Sequence, residues 1–356
     1  MKLVTFSLNN SKMEQFGIVI DDYVISFERL RYHSNLFTPL LNNINSYLQG
    51  LPESEQDARK LHAHAQEMIS ENNIESFLKL EQVQLLSPIP NPPAVLDFGL
   101  SPKHLLNSGY TLIEHEFKGI LKPILRKVLD KALRKTIQKS SMPYYKCNHL
   151  SINGPFDTLV WPSYTSYLDI EPELGVVIGN SEVDPSTGKN STSIAGYVIM
   201  NDVSARDVQF PDFRLLCGPA KSKDFDKSIG IGPYFVTSDE VENPLSLDVR
   251  VEIDKNNRLS WQGSTSEYIS HPQEVVDYLS RIFTPPPGTI IGMGTIPGCC
   301  GLDNNQWLLP GDEIEISIKG LGTLKQFVPN ELKALQSSRW KNREELKAYY
   351  KQWGSE

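Results

Sequence analysis

Cysteine is scarce in this sequence: Cys147, Cys217, Cys299 and Cys300 are the only four among 356 residues. They are too few for a disulfide framework, and no pair has the CxxC spacing of a zinc or redox site. A reduced, cytosolic setting is the expectation. The adjacent pair Cys299–Cys300 reads as two small packed residues in a loop. Long apolar runs are missing as well. No run reaches the ~20 residues that cross a bilayer, so no membrane partner is expected. The opening residues, MKLVTFSLNN, lack the apolar stretch of a secretion signal, which again points to the cytoplasm. Basic excess is absent: 43 acids outnumber 35 bases, for a net charge of -8. That argues against a nucleic-acid partner. A dinucleotide loop is absent too. GMGTIPG at 292–298 comes nearest, but it is not GxGxxG, and a strand-like segment rather than a helix follows it.

What is present is an ordinary globular composition, 39% hydrophobic and 22% charged, on a chain long enough to bury a sizeable core. Residues 1–30 alternate and turn, which predicts a small antiparallel sheet with a hairpin turn at Asp21–Asp22. Residues 36–80 read as helical. His62 and His64 lie there at i,i+2, a spacing that does not converge on a helix, so they read as surface histidines. SPIPNPP at 87–93 reads as a linker, giving a small N-terminal domain over 1–90 and a larger one over 91–356. Residues 114–139 have helical periodicity and a basic face, with Pro123 expected to kink the helix or begin its second half. This segment, 114–140, reads as a helical insertion, either a solvated helix or a lid. From 150 to 330 strand patterns dominate, separated by turns such as DPSTGKN and DKNNR. The end, 331–356, reads as a helical tail. The fold class expected is α+β, mostly β.

One strand carries the chemistry. In YLDIEPELGVVIG, residues 167–179, Asp169, Glu171 and Glu173 fall at spacing two, and Leu168, Ile170, Leu174, Val176 and Ile178 take the alternate positions. In a strand, alternate side chains share a face. Three carboxylates then share one face, which is either solvated or lines a pocket and needs a cation. Oxygen ligands without cysteine or clustered histidine suit Mg²⁺, Mn²⁺ or Ca²⁺. Three further segments add candidates. GYVIMNDVSARDVQF brings Asp202 to the end of an apolar strand, then Arg206 and Asp207, read as a local ion pair, and Gln209. AVLDFGLSPKHLLNSG brings Asp97 and, seven residues on, His104 in a loop. AKSKDFDKSIGIGPYFVT brings Lys221.

These segments, with IIGMGTIPG and LLPGDEIEISIKGLGTLKQFV, resemble the fumarylacetoacetate hydrolase family in order and motif over residues 94–328; the ExE strand and NDVSARDVQ carry most of the likeness. The resemblance implies a mixed β-roll, usually a homodimer. It implies Glu171, Glu173, Asp202 and Asp97 as ligands of a divalent cation, Mg²⁺ first. It also implies His104 as the catalytic base, Lys221 as catalytic and substrate-binding, and Gln209 and Thr295 as substrate contacts. The implied reaction is metal-dependent cleavage of a carbon–carbon bond in a 1,3-diketo acid. Decarboxylation, isomerisation or tautomerisation of a 2-oxo acid is the alternative, and a non-catalytic metal-binding relative is a third. Two departures stand out. Pro172 separates the glutamates, which suggests an edge or bulge. Asn107 stands where many relatives carry a glutamate beside the histidine, and no residue of the sequence identifies itself as the partner that orients His104.

Overall fold

Alternation decides how the central strand, Pro172–Val183, is buried on both sides. Leu174, Val176 and Ile178 enter one core, Val177 the other. The first core is shared with Val249, Val251, Ile314 and Ile316 of a four-stranded antiparallel sheet made of Asp248–Ile253, Leu259–Ser264, Glu313–Ile318 and Gly322–Phe327. The second is shared with Val198 and Met200 of the neighbouring strand and with Leu3, Phe27 and Tyr47 near the N-terminus. Each such side chain contributes roughly 1.5–3 kcal/mol by leaving water.

The computed structural model describes residues 1–9, 11–136, 142–183, 190–214, 218–254, 258–333 and 338–350. Its main sheet is mixed and twelve-stranded. Across its middle the order is Lys2–Leu8, Ile229–Thr237, Asn190–Asp202, Pro172–Val183, Ile290–Gly292, Val95–Phe98. The chain is thus α+β with strands prevailing in its larger part. The Asp21–Asp22 turn joins Glu14–Ile20 to Tyr23–Ser26, and Asp21 takes the positive φ that a tight hairpin turn requires. Lys2–Leu8 pairs antiparallel with Ile229–Thr237, so residues 1–90 share both sheet and core with the rest of the chain. The strand signals at both flanks of DPSTGKN and DKNNR are realised, while residues 184–189 and 255–257 of those turns lie outside the described residues.

Two helical expectations change. The single helix over 114–139 is instead a pair, Pro102–Glu116 and Leu121–Thr136, broken at Phe117–Ile120; residues 137–141 lie outside the described ones. Pro123 sits in the first turn of the second helix, where its missing N–H costs nothing. The C-terminal segment does not form the expected long helix among its described residues, only a 3-10 turn at Glu344–Tyr349. Tertiary ties explain this. Trp340 packs against Tyr167 and Trp307. Arg343 donates to the carbonyls of Ser166 and Leu308 at 3.2 and 2.8 Å. Residues 334–337 and 351–356 of that tail fall outside the described part.

Candidate active site

Sheet register gathers the acidic residues at one end of the main sheet. Asn190–Asp202 and Val95–Phe98 approach that end with their C-termini, and Pro172–Val183 leaves it. Gly292 pairs with Gly175 on one side and Asp97 on the other. Glu173 is the second residue of its strand, next to the strand that ends in Asp202. Oxygens of Asp97, Glu173 and Asp202 therefore lie within 4.8 Å of one another, all buried. Gly292 makes room for them. A Cβ built on it would stand 2.4 Å from Glu173 Oε2 and 3.1 Å from Asp97 Oδ1.

Each member of this trio keeps a buried oxygen with no hydrogen-bond partner: Asp97 Oδ1, Glu173 Oε1 and Asp202 Oδ1. Burial, with repulsion from neighbouring carboxylates, pushes all three carboxyls up, Asp97 to about 7 and Glu173 well above its ordinary range. Orphaned anionic oxygens in a dry site are costly unless a proton or a cation compensates them. A hard divalent cation, which takes carboxylate oxygens, fits this donor set.

Asp169 does not belong to that face. The strand breaks before Pro172, and Leu168–Asp169 pairs instead with Ser204–Ala205. Proline at the first strand position removes a ladder donor; Glu171 N–H turns to the Asn201 side chain at 3.0 Å. Asp169 accepts from Arg206 at 2.8 Å and from the backbone N–H groups of Gly301 and Leu302 at 2.6 and 2.8 Å. The expected Arg206–Asp207 pair is not formed. Arg206 bridges Asp169 and Glu171, both at 2.8 Å, and Asp207 accepts from Thr165, the Ser166 N–H and Ser338.

Glu171 stands beside the trio rather than within it. Its Oε1 meets Arg206, and its Oε2 is held by Lys223, whose ammonium also bonds Asp202. Burial opposes ionisation of Glu171, but Arg206 and Lys223 outweigh it and hold its carboxyl well below the ordinary range. Lys221 lies elsewhere. It is exposed, with its ammonium over the Tyr164 ring. Lys223, two positions on in the short helix Ala220–Lys223, is the lysine of the site. A two-residue step on a helix turns the side chain away, so only one of the pair can face inward.

His104 is in the first turn of the Pro102–Glu116 helix, not in a loop. Pro102 at the first helical position suits that start. The ring is buried, and its Nδ1 bonds Asp303 Oδ1 at 2.9 Å. Asp303 is fixed in turn by Ser108 Oγ at 2.9 Å and by the Gly298 N–H at 2.8 Å. Asp303 thus supplies the partner that the sequence did not reveal, and Asn107 lies 3.5 Å from it. Nε2 faces Glu171 Oε1 at 3.5 Å. Burial alone would lower the imidazole pKa, but the charge and hydrogen bond of Asp303, helped by Glu171, raise it to about 9. Cys299 and Cys300 are buried and free, and Cys300 caps the Gly301–Asn304 helix that carries Asp303.

These groups meet a cavity of about 430 Å³. Asp97, His104, Glu171, Arg206, Gln209, Lys223 and Thr295 reach its wall. Glu173 and Asp202 are not among its lining residues. Gln209 is buried and accepts from Arg206 at 3.2 Å. Among the described residues, Asp97, Asp169, Glu171, Glu173, Asp202 and Asp303 face only His104, Arg206 and Lys223 as cationic side chains in this cluster. Carboxylate thus exceeds positive charge even before the orphaned oxygens are considered.

The family model for the C-terminal domain of fumarylacetoacetate hydrolase matches residues 125–329. A 2,4-didehydro-3-deoxy-L-rhamnonate hydrolase of Sphingomonas sp. (strain SKA58) is 36% identical over 180 residues, half of this chain and 61% of that protein. The chain therefore matches less than two thirds of that relative's length. A solved maleylpyruvate hydrolase from Sphingobium sp. SYK-6, in complex with manganese(II) ion and pyruvate, superimposes with a TM-score of 0.61 at 19% identity. That match covers 92% of this chain and 99% of the other. A 5-carboxymethyl-2-hydroxymuconate delta-isomerase from Mycobacterium smegmatis gives 0.58 at 21% identity, over 92% and 98%. At these identities the likeness to the solved structures is one of fold.

Proposed function

The chain belongs to the fumarylacetoacetate hydrolase family, and from that premise we propose that it is a divalent-cation-dependent hydrolase of a carbon–carbon bond in a 1,3-diketo acid, with the acylpyruvates, whose oxo groups stand at carbons 2 and 4, as the form argued below. The observation that carries this reading is the juxtaposition of three carboxyls with orphaned oxygens and an imidazole whose Nδ1 is held by Asp303. Asp97, Glu173 and Asp202 would hold the cation; their oxygen donors suit Mg²⁺, Mn²⁺ or Ca²⁺. Bound there, it would polarise the substrate's carbonyl oxygens, stabilise the enolate that forms, and by its charge lower the His104 pKa.

The side chains supply the remaining steps. Asp303 accepts from Nδ1–H, so the neutral ring presents its lone pair at Nε2. Nε2 takes a proton from water, and the hydroxide adds to the distal carbonyl carbon. The bond from that carbon to the intervening methylene breaks, and its electron pair passes into the enolate of the 2-oxo acid. The imidazolium returns the proton to the methylene carbon, releasing a carboxylic acid and a 2-oxo acid. Lys223 and Arg206 set the positive field in which the substrate carboxylate is read, and Gln209 and Thr295 complete that wall.

One observation favours a second reading. An imidazole raised to about 9 is a proton donor at neutral pH, which suits tautomerisation, isomerisation or decarboxylation of a 2-oxo acid without hydrolytic water. Enol absorbance of an acylpyruvate panel, followed with Mn²⁺ or Mg²⁺ and then with excess chelator, separates the two. Metal-dependent loss with equimolar acid and pyruvate supports hydrolysis. Absorbance change without acid release moves the assignment to the second reading.

A further inference from the structure

The cavity has two chemically unlike walls. Asp97, Glu171, Arg206 and Lys223, with His104 from the first turn of the Pro102–Glu116 helix, supply the charged one. The helix pair and the segments beside it supply the other, through Leu105, Leu112, Leu129, Leu133, Pro143 and Phe213. Leu129 is seated by a close helix contact: a Cβ built on Gly109 would lie 2.4 Å from its Cδ2. Among the described lining residues the only cations are His104, Arg206 and Lys223, and each already meets buried carboxylates.

The carboxylate beside a substrate's 2-oxo group needs that positive charge. A second carboxylate at the far end of the acyl arm would lie among leucines, with no free cation among the described lining residues to pair it, which is strongly disfavoured. An alkyl or aryl arm gains from the same burial.

We propose that the preferred substrates are 2,4-diketo acids carrying an uncharged apolar acyl arm, and that Leu129 and Leu133 on the 121–136 helix select it. This rests on the diketo-acid reading above. The test compares kcat/KM for acetylpyruvate, hexanoylpyruvate and fumarylpyruvate with Mn²⁺, in the native protein and in Leu129→Arg and Leu129→Ala. Four extra methylenes at about 0.8 kcal/mol each predict a preference of roughly 10²-fold for hexanoyl- over acetylpyruvate. Fumarylpyruvate should fall at or below acetylpyruvate. Leu129→Arg should cut hexanoylpyruvate turnover at least tenfold and raise that of fumarylpyruvate. Leu129→Ala should shrink the hexanoyl preference with the fold intact. Equal use of all three substrates, or indifference to both substitutions, overturns the inference alone. Failure to cleave any of the three overturns the diketo-acid reading, and the inference with it.

Discussion

Asp303 does for His104 what a single carboxylate can do for a buried imidazole: it fixes the tautomer and raises the pKa. The pair is separated by 199 positions, and Asp303 sits in GLDN, a stretch that reads as a turn or helix cap. No periodicity announces such a partner, whereas Glu173 and Asp202 are legible because an apolar strand and a strand end carry them. Lys223 was hidden differently. Three lysines crowd AKSKDFDK, and only the phase of a short helix turns one of them inward. Asp303→Asn is predicted to lower kcat on the order of 10²-fold, the low end of what acid–base groups contribute. It should also move the acidic limb of the pH–rate profile to lower pH, as the imidazole loses the charge that holds it near 9. Linkage gives a second readout. The folded pKa exceeds the unfolded value of 6.5, so the stabilisation from this pair is complete below pH 6.5 and disappears as pH rises through 9. The gap in melting temperature between native and variant protein should close over that interval. A pH-independent gap with an unshifted limb would limit Asp303 to packing.

At the scale of elements, the site is a consequence of strand register. Gly292 lies between the strand bearing Glu173 and the strand bearing Asp97, and the two carboxylates close over it because it has no Cβ. Gly292→Ala is predicted to cost about 1–3 kcal/mol, typical of an overpacked core, and to abolish cation-dependent turnover while sparing the sheet. Urea unfolding and circular dichroism check the first part, and chelator-sensitive enol loss the second. Unchanged turnover would mean that Glu173 can move aside, and so that the trio is not held as a unit. The apolar strands and the Asp21–Asp22 hairpin were readable, since period-two patterns and turn residues act locally. The helix break at Phe117–Ile120 and the anchored C-terminal segment were not. Contacts distant in sequence decide them, such as the Arg339–Glu116 ion pair at 2.7 Å and the Trp340 indole donating to Glu116 at 2.8 Å.

For the whole molecule, an acidic chain folds so that several of its carboxyls gather in one dry cluster with fewer cations than anions. Burial and neighbouring carboxylates favour protons at the trio: Asp97 is raised to about 7, and Glu173 and Asp202 are raised as well. A cation entering the trio competes with protons, above all at Asp97, so affinity should rise with pH through neutrality. The family assignment, the mixed sheet and the acidic strand were all legible from motif order. Which carboxylates converge was not, because that depends on the break before Pro172 and on where Arg206 and Lys223 settle.

The most direct measurement is a Mn²⁺ titration of the metal-free protein followed by electron paramagnetic resonance, at pH 5.5 and pH 7.5, for the native chain and for Glu173→Gln with Asp202→Asn. The account predicts one saturable site at pH 7.5, weaker at pH 5.5 by at least tenfold, and absent from the double variant while its melting transition remains cooperative. Saturable binding that survives the double substitution, or no binding to the native chain at pH 7.5, would contradict it.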